Sequence, residues 1–141
     1  MDNQLKTKRL TSTATIPTRG SEQAAGLDLY ADGNFVVKAG THAIIPTGVA
    51  LAIPDGYCGQ VWPRSGVSVR YGVDVLAGVI DSDYTGEIKV VLQAGANDFE
   101  INQGDRIAQL LIVPVSMLQC VEVNSLDDTV RGDGGFGSTG R

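Results

Sequence analysis

Short runs of apolar or alternating residues, each closed by a turn signal, recur along this chain and predict strands. They fall at Phe35 to Lys38, His42 to Ile45, Gly48 to Ile53, Tyr57 to Trp62, Glu87 to Leu92, Arg106 to Val113 and Leu118 to Val123. Between them stand Asp32-Gly33-Asn34, Ala39-Gly40, Pro46-Thr47-Gly48, Pro54-Asp55-Gly56 and Asn102-Gln103-Gly104-Asp105. In such clusters glycine supplies positive φ, while proline, Asp and Asn preset or brace the turn. Only Gly66 to Tyr71 leaves room for a turn or two of helix. The predicted class is all-β, a sandwich or jelly roll, and eighteen glycines suit a fold built on tight turns. Residues 1–123 are expected to form this β domain. A polar tether, Asn124 to Val130, then delivers a glycine-rich arm, so that 124–141 stand apart from the core.

Composition narrows the function classes. At 141 residues the chain is one domain, long enough to bury roughly two-thirds of its unfolded surface without a disulfide or structural metal. Two cysteines, Cys58 and Cys120, with the single His42, do not complete a zinc set, and they point to a reducing compartment. A net charge of −5 argues against long nucleic acid as a partner, which favours a basic face. A polyanionic small ligand would need clustered arginines and a divalent cation. Met1 to Leu10 is polar and does not read as a secretory signal. No stretch approaches the ~18 apolar residues of a membrane span. The expected location is the cytoplasm, or the host cytoplasm for a viral source.

Five segments are too polar or too specific for β-core duty. The arm, Arg131-Gly132-Asp133-Gly134-Gly135-Phe136-Gly137-Ser138-Thr139-Gly140-Arg141, combines free backbone N–H groups with two arginines, two hydroxyls and one aromatic ring. Those are the groups wanted for phosphate oxygens and a flat base. A solvent-swept linker and an adhesive Arg-Gly-Asp tripeptide are the alternatives. In Ala25-Gly26-Leu27-Asp28, Asp28 sits between leucines, as a turn-capping or core-edge acid or as a functional one. Pro63-Arg64-Ser65-Gly66 offers a guanidinium, a hydroxyl and N–H groups to a phosphate at a helix start, or else a plain Ser N-cap. In Gly78-Val79-Ile80-Asp81-Ser82-Asp83-Tyr84-Thr85-Gly86, Asp81 follows an apolar pair. It is expected near the core, where a carboxylate is costly unless it has work. Gln109 is the one polar side chain in the apolar run of Gly104-Asp105-Arg106-Ile107-Ala108-Gln109-Leu110. Its amide must find backbone partners or a ligand.

Together, and in this order, the five segments resemble the trimeric dUTPases, the deoxyuridine triphosphate nucleotidohydrolases, from about Lys6 to Arg141. The resemblance implies a jelly-roll subunit in a homotrimer whose active sites are shared between chains. It further implies Mg2+-dependent hydrolysis of dUTP to dUMP and pyrophosphate by attack of water on the alpha phosphorus. That reaction limits uracil in DNA and supplies dUMP for thymidylate synthesis. On this likeness Asp81 is the general base and Asp28 holds the metal through water. Arg64, Ser65, Gly66 and Gln109 receive phosphates, and Tyr84 lies against the deoxyribose. The hairpin strand bearing Leu76, Val79 and Ile80 reads the uracil edge through its main chain. Phe136 stacks on the base as the arm closes, bringing Arg131, Gly137 and Ser138 to the nucleotide. Lys89 matches a family position near the nucleotide and serves equally as a solvated strand lysine. One departure stands out: Val75 and Leu76 occupy places where family members often carry an amide or glycine. A dCTP deaminase of the same fold, or a non-catalytic nucleotide-binding trimer, is the rival reading.

Overall fold

The computed structural model describes residues 3–140. It is an antiparallel β-sandwich of the jelly-roll kind with one short helix. In chain order the elements are β1 (Lys6–Arg9), β2 (Thr18–Arg19), β3 (Leu27–Tyr30), β4 (Phe35–Val37), β5 (His42–Ala52), β6 (Tyr57–Trp62), α1 (Ser65–Tyr71), β7 (Asp74–Leu76), β8 (Val79–Ile80), β9 (Glu87–Gln93), β10 (Phe99–Ile101) and β11 (Arg106–Pro114). One sheet runs β1-β5-β9-β7 and the other β2-β3-β11-β6-β8, with β10 and β4 paired separately.

Period-two patterning fills the space between the sheets. In β9, Ile88, Val90 and Leu92 are buried while Lys89 faces out. In β11 the consecutive residues Ile107 and Ala108 are both buried, because a bulge between Arg106 and Ala108 resets the alternation against β3. Leu29, Ile45, Val49 and Leu110 complete the centre of this core.

Three departures from the sequence expectations have local causes. The runs before and after Pro46-Thr47-Gly48 are one long strand, β5, with the expected turn absorbed as a bulge. Gly48 takes φ 70 there, and the Thr47 hydroxyl serves the β9 backbone instead of capping a turn. Leu118 to Val123 forms no strand: it pairs with neither sheet, and both sides of the preceding β11 are taken by β3 and β6. Short strands such as β1, Lys-Thr-Lys-Arg, carry no apolar pattern because they lie at a sheet edge.

Beyond Val115, whose N–H reaches Gly56 O at 2.9 Å, the segment makes no hydrogen bond to the sandwich among the described residues. It coils on itself instead. Arg131 Nε donates to Gly134 O at 2.7 Å, and Ser138 N–H to Gly135 O at 3.1 Å.

Candidate active site

Register places the first group of polar residues in one row. Gln109 of β11 pairs with Asp28 of β3 on one side and with Trp62 of β6 on the other. The chain leaving Trp62 runs through Pro63 and Arg64 into α1, so these residues meet at the end of the sheet. Arg64 Nε donates to Asp28 Oδ1 at 3.1 Å, a half-buried ion pair. The pair engages only Nε. Both Nη groups, four N–H donors, lack a hydrogen-bond partner among the described residues. Gln109 Nε2 donates to Pro63 O at 3.0 Å, which satisfies half of its amide from the backbone. Gly26 makes room for that amide: a Cβ there would lie 2.5 Å from Gln109 Oε1 and 3.1 Å from its Cβ.

Asp28, Arg64, Ser65, Gly66 and Gln109 line a cleft of roughly 370 Å³. Its outer wall is the Gly20, Ser21 and Ala24 turn, braced by Arg19 Nη1 on Ala24 O at 2.6 Å. That wall escaped the sequence reading, although Gly20-Ser21 is a turn signal. Ser65 is not the helix cap. Arg64 occupies the N-cap position with no side-chain cap bond, so the Ser65 hydroxyl and the first-turn N–H groups are left to the cleft.

The second group is held by a hairpin whose arms belong to different sheets. β7 pairs with β9, β8 pairs with β6, and Gly78 O accepts from Val61 N–H at 2.8 Å. Ala77 at the tip adopts φ 57, a left-handed conformation that costs a non-glycine residue about 1 kcal/mol. Gly78 follows at φ 106, where a Cβ would meet Val61 O at 2.8 Å. This hairpin bounds a cleft of roughly 250 Å³ lined by Leu76, Val79, Ile80, Asp81, Tyr84 and Lys89, among others. Apolar Leu76, Val79 and Ile80 stand there beside polar Asp81, Tyr84 and Lys89, the mixed lining common to small-molecule pockets. The expectation of a buried Asp81 is corrected: the carboxylate is exposed at the mouth, because the chain turns outward directly after β8. The Tyr84 hydroxyl donates to Glu87 O at 2.6 Å, and Tyr84 N–H to Asp81 O at 3.1 Å.

No residue lines both clefts, and Arg131, Phe136, Gly137 and Ser138 line neither. Phe136 is fully exposed with φ 46. Arg141 lies outside the described residues.

Together these features define a β-sandwich protein whose polar candidate residues fall in two separate clefts and an exposed C-terminal arm. The dUTPase family model matches residues 12–140. The deoxyuridine 5'-triphosphate nucleotidohydrolase of Syntrophotalea carbinolica is 51% identical, with 96% of each chain covered. That of Paramecium bursaria Chlorella virus 1 is 47% identical over 98% of this chain and 99% of the viral one. Among solved structures, the Staphylococcus bacteriophage 80alpha dUTPase with dUpNHpp superimposes with a TM-score of 0.93 at 29% identity, covering 99% of this chain and 100% of that one. The chain belongs to the dUTPase family.

Proposed function

We propose that this protein hydrolyses dUTP to dUMP and pyrophosphate as a homotrimer, each active site assembled from more than one subunit. The observation that carries the proposal is the separation of its parts. The cleft bearing Asp81, the cleft bearing Arg64 and Gln109, and the arm bearing Phe136 each hold groups suited to one portion of a deoxynucleoside triphosphate, and within one chain they do not meet.

In this reading the base enters the hairpin cleft. Its edge pairs with main-chain groups of the strand carrying Leu76, Val79 and Ile80, because Val75 and Leu76 bring no side-chain amide. Donors and acceptors fixed there reject cytosine by mismatch, and the close wall rejects the thymine methyl. Tyr84 packs on the deoxyribose. Asp81, exposed at the mouth, orients a water in line with the leaving pyrophosphate and accepts its proton as oxygen attacks the alpha phosphorus. Arg64, the Ser65 hydroxyl, the Gly66 N–H and Gln109 of another chain hold the phosphates, and Lys89 adds positive charge at the rim. The arm closes with Phe136 on the base and Arg131, Gly137 and Ser138 on the nucleotide, expelling water. On this reading residues 1–123 are the β domain and 124–141 the tether and closing arm.

The donor set also fits Mg2+. Described residues offer no group of three side chains able to hold a metal directly, while Asp28 gives the phosphate-type cleft its carboxylate. Mg2+ retains its waters and binds through one or two carboxylates plus substrate phosphates. Asp28 would hold the ion through water, and the ion supplies charge neutralisation on the triphosphate. No helix is long and apolar enough to cross a membrane among the described residues.

Incubation with each deoxynucleoside triphosphate and with UTP, in Mg2+ and 18O-labelled water, tests the proposal. Pyrophosphate should form rapidly from dUTP alone, with the label in dUMP. Label in pyrophosphate, or orthophosphate as product, contradicts the mechanism. Nucleotide binding without turnover would make the protein a non-catalytic relative, and deamination of dCTP would make it a deaminase.

A further inference from the structure

The bulge in β5 frees polar groups that the β5–β9 ladder does not serve. Between the pairs Pro46–Lys89 and Ala50–Glu87, Thr47, Gly48 and Val49 oppose the single residue Ile88. Thr47, buried in the core, donates its hydroxyl to Ile88 O at 2.5 Å. Gly48 N–H donates to Glu87 Oε2 at 3.0 Å. Gly48 also takes φ 70, and a Cβ there would lie 2.6 Å from Asp32 Oδ2 and 2.7 Å from Ala14 Cβ. The bulge is therefore fixed in shape and closely surrounded.

Glu87 carries this rigidity to the substrate cleft, whose wall it also helps to form. Its carboxylate is held by the bulge, and its own backbone carbonyl accepts the Tyr84 hydroxyl at 2.6 Å. The Tyr84 ring lies close over Gly86, where a Cβ would sit 2.8 Å from the phenol oxygen. Tyr84 itself is on an exposed turn and has no other side-chain hydrogen bond among the described residues.

We infer that Glu87 is a positioning residue for sugar discrimination: anchored on the Gly48 bulge, it holds the Tyr84 ring at a fixed depth in the cleft and so keeps a 2′-hydroxyl out. The inference rests on the dUTP reading of the cleft. Rejecting a substrate for one extra hydroxyl by steric clash demands a wall that does not yield, since a displacement of about 1 Å removes the clash. Without the carboxylate, the buried Gly48 N–H loses its partner and the start of β9 loosens at the residue that tethers Tyr84.

The test is the ratio of kcat/KM for dUTP to that for UTP, in wild type, Glu87→Ala, Glu87→Gln, Tyr84→Phe and the double variant Tyr84→Phe/Glu87→Ala. Glu87→Ala should lower the ratio about 10-fold, mainly through better use of UTP, and Glu87→Gln, which keeps an acceptor for Gly48, should stay within about 2-fold of wild type. Tyr84→Phe should resemble Glu87→Ala, and the double variant should be no worse than the larger single effect by more than about 2-fold, because both cut one tether. Equal loss of activity on dUTP and UTP in Glu87→Ala, leaving the ratio unchanged, overturns the inference and assigns Glu87 a merely structural role. If Glu87→Ala does not fold, Glu87→Asp, whose carboxylate is one methylene short of Gly48, replaces it: a lowered ratio in both Glu87→Asp and Tyr84→Phe upholds the inference, and an unchanged ratio in either overturns it. Wild type that fails to hydrolyse dUTP would refute the functional reading itself.

Discussion

In β9 the alternate residues Ile88, Val90 and Leu92 are sealed in the core, whereas after Pro114 the side chains of Met117, Leu118, Val121, Val123 and Leu126 all stand in solvent. Both stretches are apolar enough to be strands. What separates them is pairing: β9 lies between β5 and β7, while the later segment pairs with no strand. Alternation makes a strand only where backbone groups have a partner. On the proposed reading, so much exposed apolar surface on one segment is covered by another chain. The sandwich is complete within the subunit, and the C-terminal segment is completed, on the proposed reading, only in the trimer.

The strongest way to break that contrast is to remove the arm. A chain ending at Val130 should fold with a thermal midpoint within about 2 °C of the full-length protein, since the deleted residues add nothing to the core. Its turnover of dUTP should fall by about 100-fold or more, through lost closure. Calorimetry and a pyrophosphate assay on the same preparation check both. Full activity would return the arm to the linker reading, and a large loss of stability would show that it belongs to the folded unit.

A smaller effect sharpens the contrast from the sandwich side. Hydrogen bonds from Thr13 and Thr11, and a weaker one from Gln103, hold the Asp32 carboxyl below its ordinary value of 3.8. A depressed carboxylate contributes stability that is present in full above the unfolded value and is lost as pH falls through the folded one. The protein should therefore lose a little stability below pH 3.8 through this group, under about 1 kcal/mol because solvent screens the cluster. Asp32→Asn should flatten that part of the acid profile. The chain ending at Val130 should keep it unchanged, because every partner of Asp32 lies in the sandwich.

Most of the β architecture was legible because the buried strands β6, β9 and β11 carry uninterrupted or alternating apolar runs. The short edge strands were not, since two to four residues at an edge have no pattern to show. Bulges were the other blind spot. Pro46-Thr47-Gly48 has the composition of a turn, and only the pairing of β5 with β9 on both sides of it makes it a bulge. At the site, the residues named from the motif resemblance fall partly on the two clefts and partly on the exposed arm, which lines neither, and local sequence misjudged their surroundings. Asp81 follows two apolar residues and is nonetheless exposed, because burial of Ile80 and its neighbours depends on which sheet β8 joins. Ser65 looks like a helix cap and stands one residue inside the helix. Glu87 carried no signal, because its carboxylate is met by the N–H of a glycine 39 positions away in sequence.

The most direct test of the shared site mixes two defective chains. Asp81→Asn lacks the base and the chain ending at Val130 lacks the arm, so each homotrimer should be nearly inactive. Where base and arm come from different subunits, co-refolding the two in equal amounts rebuilds complete sites. Random assembly under cyclic symmetry gives a base from a truncated chain and an arm from an Asp81→Asn chain in about a quarter of sites. Recovery of dUTP hydrolysis toward that fraction of the wild-type rate is the predicted result. No recovery, with mixed trimers confirmed by mass, would mean that each chain supplies its own base and arm, contradicting the account.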